Sequence, residues 1–175
     1  SAAGALLATS QTKGAAMSGV WSADGSRLLI SSGKTAALTV VLYDASTYAP
    51  ITTLPDLWRL AELAPSGAFI VAIKRGDPTA TLWGSDGTLR QTMRQSELVG
   101  QISISPQSDK VIFGLLDGNA AVWGVPEGNL IRVLGGHGTR VADITITRDG
   151  SRAYCLNDRG EVKAWELTTY KQIGQ

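Results

Sequence analysis

The chain has 175 residues, about the length of one domain, and its 43% hydrophobic and 18% charged residues exclude intrinsic disorder because a core can be buried. A net charge of +1 leaves no basic excess for a phosphate backbone, which argues against nucleic acid as a partner. One cysteine excludes an internal disulfide framework, and one histidine excludes a multi-histidine metal site.

Two short sequence phrases recur with a period of about 40 residues. The first is a turn phrase such as Ser-Ala-Asp-Gly, preceded by Trp21, Leu63, Ile104 and Ile146 in turn. The second ends on an aromatic residue at Tyr43, Trp83, Trp123 and Trp165. Because two independent phrases keep one period, the chain contains an internal repeat.

Each repeat unit is predicted to contain four short antiparallel strands, lettered a to d from the inside outward. Its β-rich runs are bounded by Gly, Asp, Asn or Pro, and the pair Asp117-Gly118 is the clearest hairpin turn. No stretch keeps a helical period, so helix content should be minimal. The predicted segments are a lone outer strand in residues 1–14, units at 15–55, 56–95 and 96–136, and a last unit at 137–175 with a truncated strand d.

These units resemble the WD-repeat (WD40) β-propeller family. The last unit carries the match best, with Gly136-His137 before its first strand and Trp165-Glu166 at the end of its third. The resemblance covers residues 6–175. It implies an all-β fold in which each unit is one propeller blade packed face to face on the next, giving four blades in this chain, a half or partial propeller.

The chain departs from that family in a hydrogen-bonded set of His, Ser or Thr, Asp and Trp that many of the family's blades contain. The last unit offers His137, Cys155, Arg159 and Trp165 at these places, and the third offers Gln95, Phe113, Asp117 and Trp123. Since no unit has the complete set, blade stability should come mainly from apolar packing between sheets.

The blade number leaves three closures open. The chain is part of a seven- or eight-bladed propeller completed by another polypeptide or a lost remainder, or two copies form an eight-bladed ring, or residues 6–9 close a four-bladed ring on the last unit. A lone outer strand at the start and a truncated one at the end favour an excised or processed chain.

The conspicuous aromatic side chains are predicted to be core. Trp83, Trp123 and Trp165 share the repeat position of Tyr43, while Trp21 and Trp58 fall on first strands facing the space between sheets. An aromatic ligand cage would need these rings to converge, whereas the repeat disperses them.

A catalytic pairing of His137 with Cys155 is the alternative chemical interpretation of the last unit. The repeat instead identifies both as structural positions, and no orienting acid or oxyanion site accompanies them. We therefore expect no enzyme activity, no cofactor and no metal site.

Partners of the resembled family commonly dock on the top rim, at the entry to strand a and just before the b–c turn. Those positions here are Met17, Leu57, Arg59, Leu98, Leu116, Arg140 and Asp158. Leucines beside arginines suit a protein-binding patch better than a sugar or nucleotide site. The competing interpretation is that loops cover the leucines.

The expected function is a non-enzymatic protein–protein interaction scaffold, a WD-repeat module within a larger chain or assembly. Its partner would be another protein, including the other half of the propeller or a second copy. Two alternatives stay open: a sensor or regulatory propeller domain of a larger enzyme or signalling ATPase, and an RNA-associated propeller. Because no apolar run approaches the roughly 18 residues that span a bilayer and the start lacks a basic signal segment, we expect no membrane insertion and an intracellular, cytoplasmic location.

Overall fold

The computed structural model describes residues 14–34 and 37–173, which form sixteen strands and no helix. The strands make four antiparallel sheets of four, each in sequential order. The all-β fold of four-stranded blades predicted from the repeat is therefore confirmed, and each sheet is called a blade below. The outer strand expected at residues 6–9 lies outside the described residues.

Each blade follows the chain from strand to neighbouring strand. The first blade contains β1 (Ala16–Trp21), β2 (Arg27–Lys34), β3 (Ala37–Asp44) and β4 (Pro50–Thr53). The second contains β5 (Leu60–Leu63), β6 (Phe69–Ile73), β7 (Thr79–Gly84) and β8 (Leu89–Arg94). The third contains β9 (Val99–Ile104), β10 (Lys110–Leu115), β11 (Ala120–Gly124) and β12 (Leu130–Leu134). The fourth contains β13 (Val141–Ile146), β14 (Arg152–Asn157), β15 (Val162–Glu166) and β16 (Gln172–Ile173).

The recurring turn phrase joins the first and second strands of every blade. One residue in each copy adopts the left-handed conformation, with φ of 70°, 71°, 58° and 73° at Gly25, Gly67, Ser108 and Gly150. Glycine suits this conformation because it lacks a Cβ. In each copy the same residue donates its amide hydrogen to the carbonyl three residues earlier, at 2.8–3.0 Å. The turn therefore has the same backbone geometry in all four copies of the repeated phrase.

The blades pack face to face in chain order through three apolar clusters. Trp83 packs against the first blade, with Leu29 and Leu42 in the same cluster, and its ring meets Trp58 edge-on at 5.9 Å between centroids. Trp123 packs in the same way on the second blade. Trp165 does so on the third. The third-strand indole therefore always lies on the face turned toward the preceding blade.

The innermost strands β1, β5, β9 and β13 together line a central groove of about 500 Å³. Glu62 of β5 and Asp143 of β13 bring carboxylates to this groove, and Trp21 of β1 lies at its wall. Among the described residues there is no helix that could span a membrane.

Two tryptophans differ from the sequence prediction. The expectation that Trp21 faces the space between sheets is wrong, because it is 53% exposed. It lies opposite Leu28 on a face of the first blade against which none of the other described blades packs. Trp58 is buried as expected, but it precedes β5, where a bridge to Leu38 and an indole N–H donated to the Pro55 carbonyl at 2.9 Å hold it.

Candidate interaction surface

One pocket at the entry to the inner strands gathers several residues that the sequence placed on the rim. We call it the rim pocket, a concavity of about 300 Å³. Its side chains come from the second, third and fourth blades: Arg59, Lys74, Arg75, Asp77, Leu98, Leu116 and Arg140. The lining side chains thus include four cations and one carboxylate, and two further carboxylates, Asp56 and Asp158, form ion pairs with Lys74 and Arg140.

Arg59 lines the rim pocket and joins the second blade to the third. Its Nη2 donates hydrogen bonds to the carbonyl oxygens of Val99 at 2.7 Å and Gly100 at 3.0 Å, at the start of β9. Burial lowers the pKa of the guanidinium, which nevertheless stays protonated at neutral pH. Arg59 therefore links the second and third blades in addition to carrying a charge. The sequence did not indicate this structural role.

The rim leucines differ in their exposure. Leu57 is 57% exposed and Leu116 is 40% exposed, while Leu98 is half-buried. Leu98 and Leu116 are neighbours, because the Leu116 amide donates to the Leu98 carbonyl at 3.0 Å. A partner that buries these exposed apolar side chains would gain binding free energy. Leu57 is not part of the pocket wall.

Ion pairs set the charge around the rim pocket. Arg140 Nε lies 3.4 Å from Asp158 Oδ2, so Asp158 joins the surface through Arg140. Lys74 Nζ pairs with Asp56 Oδ2 at 2.8 Å and lies 5.3 Å from the Trp58 ring centroid. Exposed pairs of this kind are weak, so these cations remain free to exchange partners.

Met17 does not belong to this surface. It is 52% exposed and lines a separate shallow depression on the first blade with Gly19, Leu28 and Ile30. The structure therefore brings Arg59, Leu98, Leu116, Arg140 and Asp158 together and leaves Met17 and Leu57 apart.

Lys74 and Arg75 are rim residues that the sequence analysis missed. They lie in the connection between β6 and β7, at the place corresponding to Leu116 in the third blade. Gly76 lies at the same distance before Trp83 as Leu116 does before Trp123, so the repeat pattern does not point to the two cations just before it. The run Lys74-Arg75-Gly76-Asp77 between two apolar strands was the available signal.

Glu62 is a second missed group, in the central groove. Burial raises its pKa to about 7, and no described residue donates a hydrogen bond to it or pairs with it. The signal was an acidic residue inside the short strand Leu60–Leu63. Asp143, across the groove, accepts hydrogen bonds from the Ile144 amide at 2.9 Å and from Gln101 Nε2 at 3.5 Å.

The His137 and Cys155 side chains are both buried in the fourth blade. Burial, with Asp143 nearby, raises the pKa of the Cys155 thiol to about 12, which removes thiolate at neutral pH. Burial and the charge of Lys163 lower the pKa of His137. Neither ring nitrogen of His137 has a hydrogen-bond partner among the described residues, so the pair is not arranged as nucleophile and base.

The acidic neighbour of His137 is Glu161, rather than a residue at the expected turn position. His137 Nδ1 lies 3.7 Å from Glu161 Oε2, and Asn157 Nδ2 donates to the same oxygen at 3.0 Å. Arg159 is exposed and uses its backbone amide to reach Asn157 Oδ1. Within residues 14–34 and 37–173, no group of three or more His, Cys, Asp or Glu side chains could hold a metal ion.

No protein-family model matches the chain. It is similar to Protein groucho of Drosophila melanogaster, with 37% identity over 75 residues. That match takes in 42% of this chain and 10% of the length of Protein groucho.

Proposed function

We propose that the chain is a non-enzymatic protein-interaction module, a WD-repeat propeller module of a larger chain or assembly, that binds its partner at the rim pocket. The observation that carries the proposal is the pocket itself, where exposed Leu116 and half-buried Leu98 lie beside four cations. The repeated four-stranded sheets and the similarity to part of Protein groucho support the WD-repeat assignment.

The chemistry of the rim pocket favours an acidic peptide segment with one apolar side chain. Burying a leucine-sized side chain contributes about 1.5–3 kcal/mol, which the exposed Leu116 can gain with a partner. Arg75 and Arg140 can meet carboxylates on either side of that anchor, and a planar guanidinium suits a carboxylate. The protonated, buried Cys155 thiol and the His137 ring, whose nitrogens accept or donate no hydrogen bond among the described residues, support a role without catalysis.

The test is binding of a short fluorescein-labelled peptide with acidic residues on both sides of a leucine, followed by fluorescence anisotropy. The variant combines Leu98→Ser with Leu116→Ser. We expect its dissociation constant to rise about tenfold or more, because about 1.4 kcal/mol corresponds to tenfold. The matched control combines Leu89→Ser with Leu130→Ser, at leucines 51% and 50% exposed on fourth strands away from the pocket.

Three results would contradict the proposal. Equal loss of binding in the control pair would mean that exposed leucines bind the peptide wherever they lie on the surface, and not at the rim pocket. Equal binding of a peptide with lysines in place of its acidic residues would exclude a role for the four cations. Tighter binding of a single-stranded RNA oligonucleotide with a steep salt dependence would favour the RNA-associated alternative.

The sensor-domain alternative predicts instead that peptide binding changes an activity carried by a longer parent chain. The cytoplasmic location expected from the sequence stays a prediction.

A further inference from the structure

The loop that leads into the fourth blade contains a buried imidazole without hydrogen bonds. His137 lies between Leu134, where β12 ends, and Val141, where β13 begins. Its side chain is wholly buried, and neither of its ring nitrogens nor Thr139 Oγ1 has a hydrogen-bond partner among the described residues. Because buried polar atoms are nearly always paired in proteins, this group of unpaired atoms calls for a functional explanation.

This loop packs against a turn of the third blade that leads to the rim pocket. A Cβ at Gly118 would lie 2.6 Å from the Thr139 carbonyl oxygen, and the His137 amide donates to the Gly118 carbonyl at 3.4 Å. Gly118 closely follows Leu116, which lines the rim pocket. The loop itself ends at Arg140, another residue of the pocket wall. A movement of the loop would therefore displace two side chains of the rim pocket.

Polar side chains of the fourth blade hold the other side of the loop. Asn157 Nδ2 donates to the His137 carbonyl at 3.1 Å and to Glu161 Oε2 at 3.0 Å. Asp158, the next residue, pairs with Arg140 at 3.4 Å. The turn that carries Asn157 thus contacts both the loop and the rim pocket.

Two charged side chains of the fourth blade lie near the imidazole. Glu161 Oε2 is 3.7 Å from His137 Nδ1, beyond hydrogen-bond distance, and Lys163 Nζ is 3.5 Å from Glu161 Oε1. The turn of the third blade that packs on the loop carries Asp117, whose carboxylate accepts the amide and Nδ2 hydrogens of Asn119 at 3.0 and 2.8 Å. A proton on His137 would create a buried cation beside Lys163, with Glu161 as the nearest compensating charge.

We infer that protonation of His137 weakens partner binding at the rim pocket by displacing the loop of residues 135–139. An imidazolium at this place needs water or a carboxylate, so either the loop opens or Glu161 moves onto the ring. Both movements shift Arg140 and the turn that carries Leu116. The inference rests on the proposed function and adds to it a dependence of affinity on pH.

The sign of this dependence follows from the linkage between protonation and binding. The loop conformation that binds the peptide keeps the imidazole neutral, so protonation shifts the population away from it. Burial and Lys163 lower the pKa of His137 from 6.5, which puts the change below that pH. Acidic side chains of the peptide have an ordinary pKa of about 4 and stay mostly ionised at about pH 5. A protein that merely became more positive would bind such a peptide more tightly at low pH, which is the opposite result.

The test repeats the anisotropy titration of the labelled acidic peptide at about pH 7.5 and about pH 5. The dissociation constant of the unchanged chain should rise about threefold or more, because one linked proton changes it by up to about tenfold for each pH unit below the pKa. His137→Gln, which has no titrating ring, should lose this rise. Glu161→Gln should move the rise to lower pH, because the Glu161 carboxylate favours the imidazolium.

The matched control is Glu62→Gln, which removes a carboxyl group of the central groove with a pKa of about 7. Because Glu62 does not line the rim pocket, this variant should keep the full rise of the dissociation constant. Circular dichroism at both pH values confirms that each variant is folded.

Nuclear magnetic resonance without peptide separates this inference from the proposed function. As the pH is lowered, the backbone amide signals of Leu116 and Arg140 should shift together with the imidazole signals of His137, and the Leu130 amide on the outer strand β12 should not. The same amide signals should stay in place in His137→Gln.

The outcomes distinguish the two claims. Absence of peptide binding at pH 7.5 would overturn the proposed function and, with it, this inference. Four results would overturn the inference alone: equal pH dependence in the unchanged chain and His137→Gln, tighter binding at low pH, an imidazole that stays neutral at about pH 5, or Leu116 and Arg140 signals that do not follow it.

Discussion

The third and fourth blades place an indole at the same repeat position, but only the third bonds the polar side chain beside it. Trp123 Nε1 donates a buried hydrogen bond to Gln95 Oε1 at 2.8 Å, and Gln95 Nε2 donates to the Met93 carbonyl at 2.9 Å. His137 stands in the corresponding place beside Trp165, with 5.5 Å between ring centroids, and neither of its ring nitrogens is bonded among the described residues.

The difference separates two contributions to blade stability. Both indoles are buried between blades, so the apolar packing is common to the two. The polar pairing differs between the two blades. In the third blade Gln95 bonds the indole of Trp123, whereas in the fourth neither ring nitrogen of His137 is bonded among the described residues. The packing of the third-strand aromatic is therefore the repeated stabilising element, and the hydrogen bond is an addition made blade by blade.

The largest effect is expected when the shared packing is removed. Trp123→Ala and Trp165→Ala should each lower the free energy of unfolding by about 3–5 kcal/mol, because a large buried side chain leaves a cavity between blades. Trp123→Ala should cost more, since it also leaves Gln95 Oε1 without its donor. Urea unfolding measures both. Trp21→Ala, at an exposed indole, is the control, and unchanged stability of the two buried-site variants would contradict the packing described here.

The next effect isolates the hydrogen bond of the third blade. Gln95→Leu keeps a similar volume but leaves the Trp123 indole N–H buried and unpaired, which should cost about 1–3 kcal/mol in urea unfolding. Gln95→His copies the arrangement of the fourth blade. Its free energy of unfolding should fall between those of the unchanged chain and Gln95→Leu. If Gln95→Leu were as stable as the unchanged chain, the hydrogen bond would contribute nothing to the difference between the blades.

Much of this fold follows from local sequence, because each blade is closed by short-range turns. The left-handed residues at Gly25 and Gly67 and the strand ends near Trp123 and Trp165 recur at positions that one period predicts. The antiparallel pairing then follows from hairpins between neighbouring strands.

What the sequence could not predict depends on contacts between blades or on loop conformation. Trp21 has the pattern of a core residue, yet it is exposed, because none of the described blades packs on its face of the first blade. The Arg59 hydrogen bonds reach the start of β9, about 40 residues away. Glu161, rather than Arg159, approaches His137 because the turn after Asn157 bends both Arg159 and Glu161 amides onto the Asn157 side chain.

Glu62 extends the comparison from neutral polar groups to a charged one. Burial raises its pKa from 4.5 to about 7, so between these values the folded chain binds more protons than the unfolded chain. The contribution of Glu62 to the free energy of unfolding should therefore be fully present below about pH 4.5 and decline by at most about 3 kcal/mol as the pH rises through 7.

Glu62→Gln should remove that decline and raise the free energy of unfolding at about pH 8 by about 1–2 kcal/mol, since Glu62 is still partly in contact with water. Urea unfolding at several pH values measures it, with the exposed Glu127→Gln as the control. An unchanged pH profile in Glu62→Gln would mean that the groove hydrates the carboxylate fully.

The smallest effect at neutral pH is expected for His137→Gln, which gives the fourth blade the polar residue of the third. The glutamine keeps most of the side-chain volume beside Trp165 and can accept the indole N–H as Gln95 does, so the free energy of unfolding at about pH 7.5 should change by less than about 1 kcal/mol.

At lower pH the stability of this variant should differ more from that of the unchanged chain. Burial, aided by Lys163, lowers the pKa of His137 from 6.5, so below about pH 6.5 the unfolded chain binds more protons than the folded chain, and stability is lost as the pH falls through the lowered value. His137→Gln should remove this loss, which urea unfolding at about pH 7.5 and about pH 5 detects. A loss at pH 7.5 as large as that of Trp165→Ala would show that the imidazole itself, and not only the indole, holds the fourth blade together.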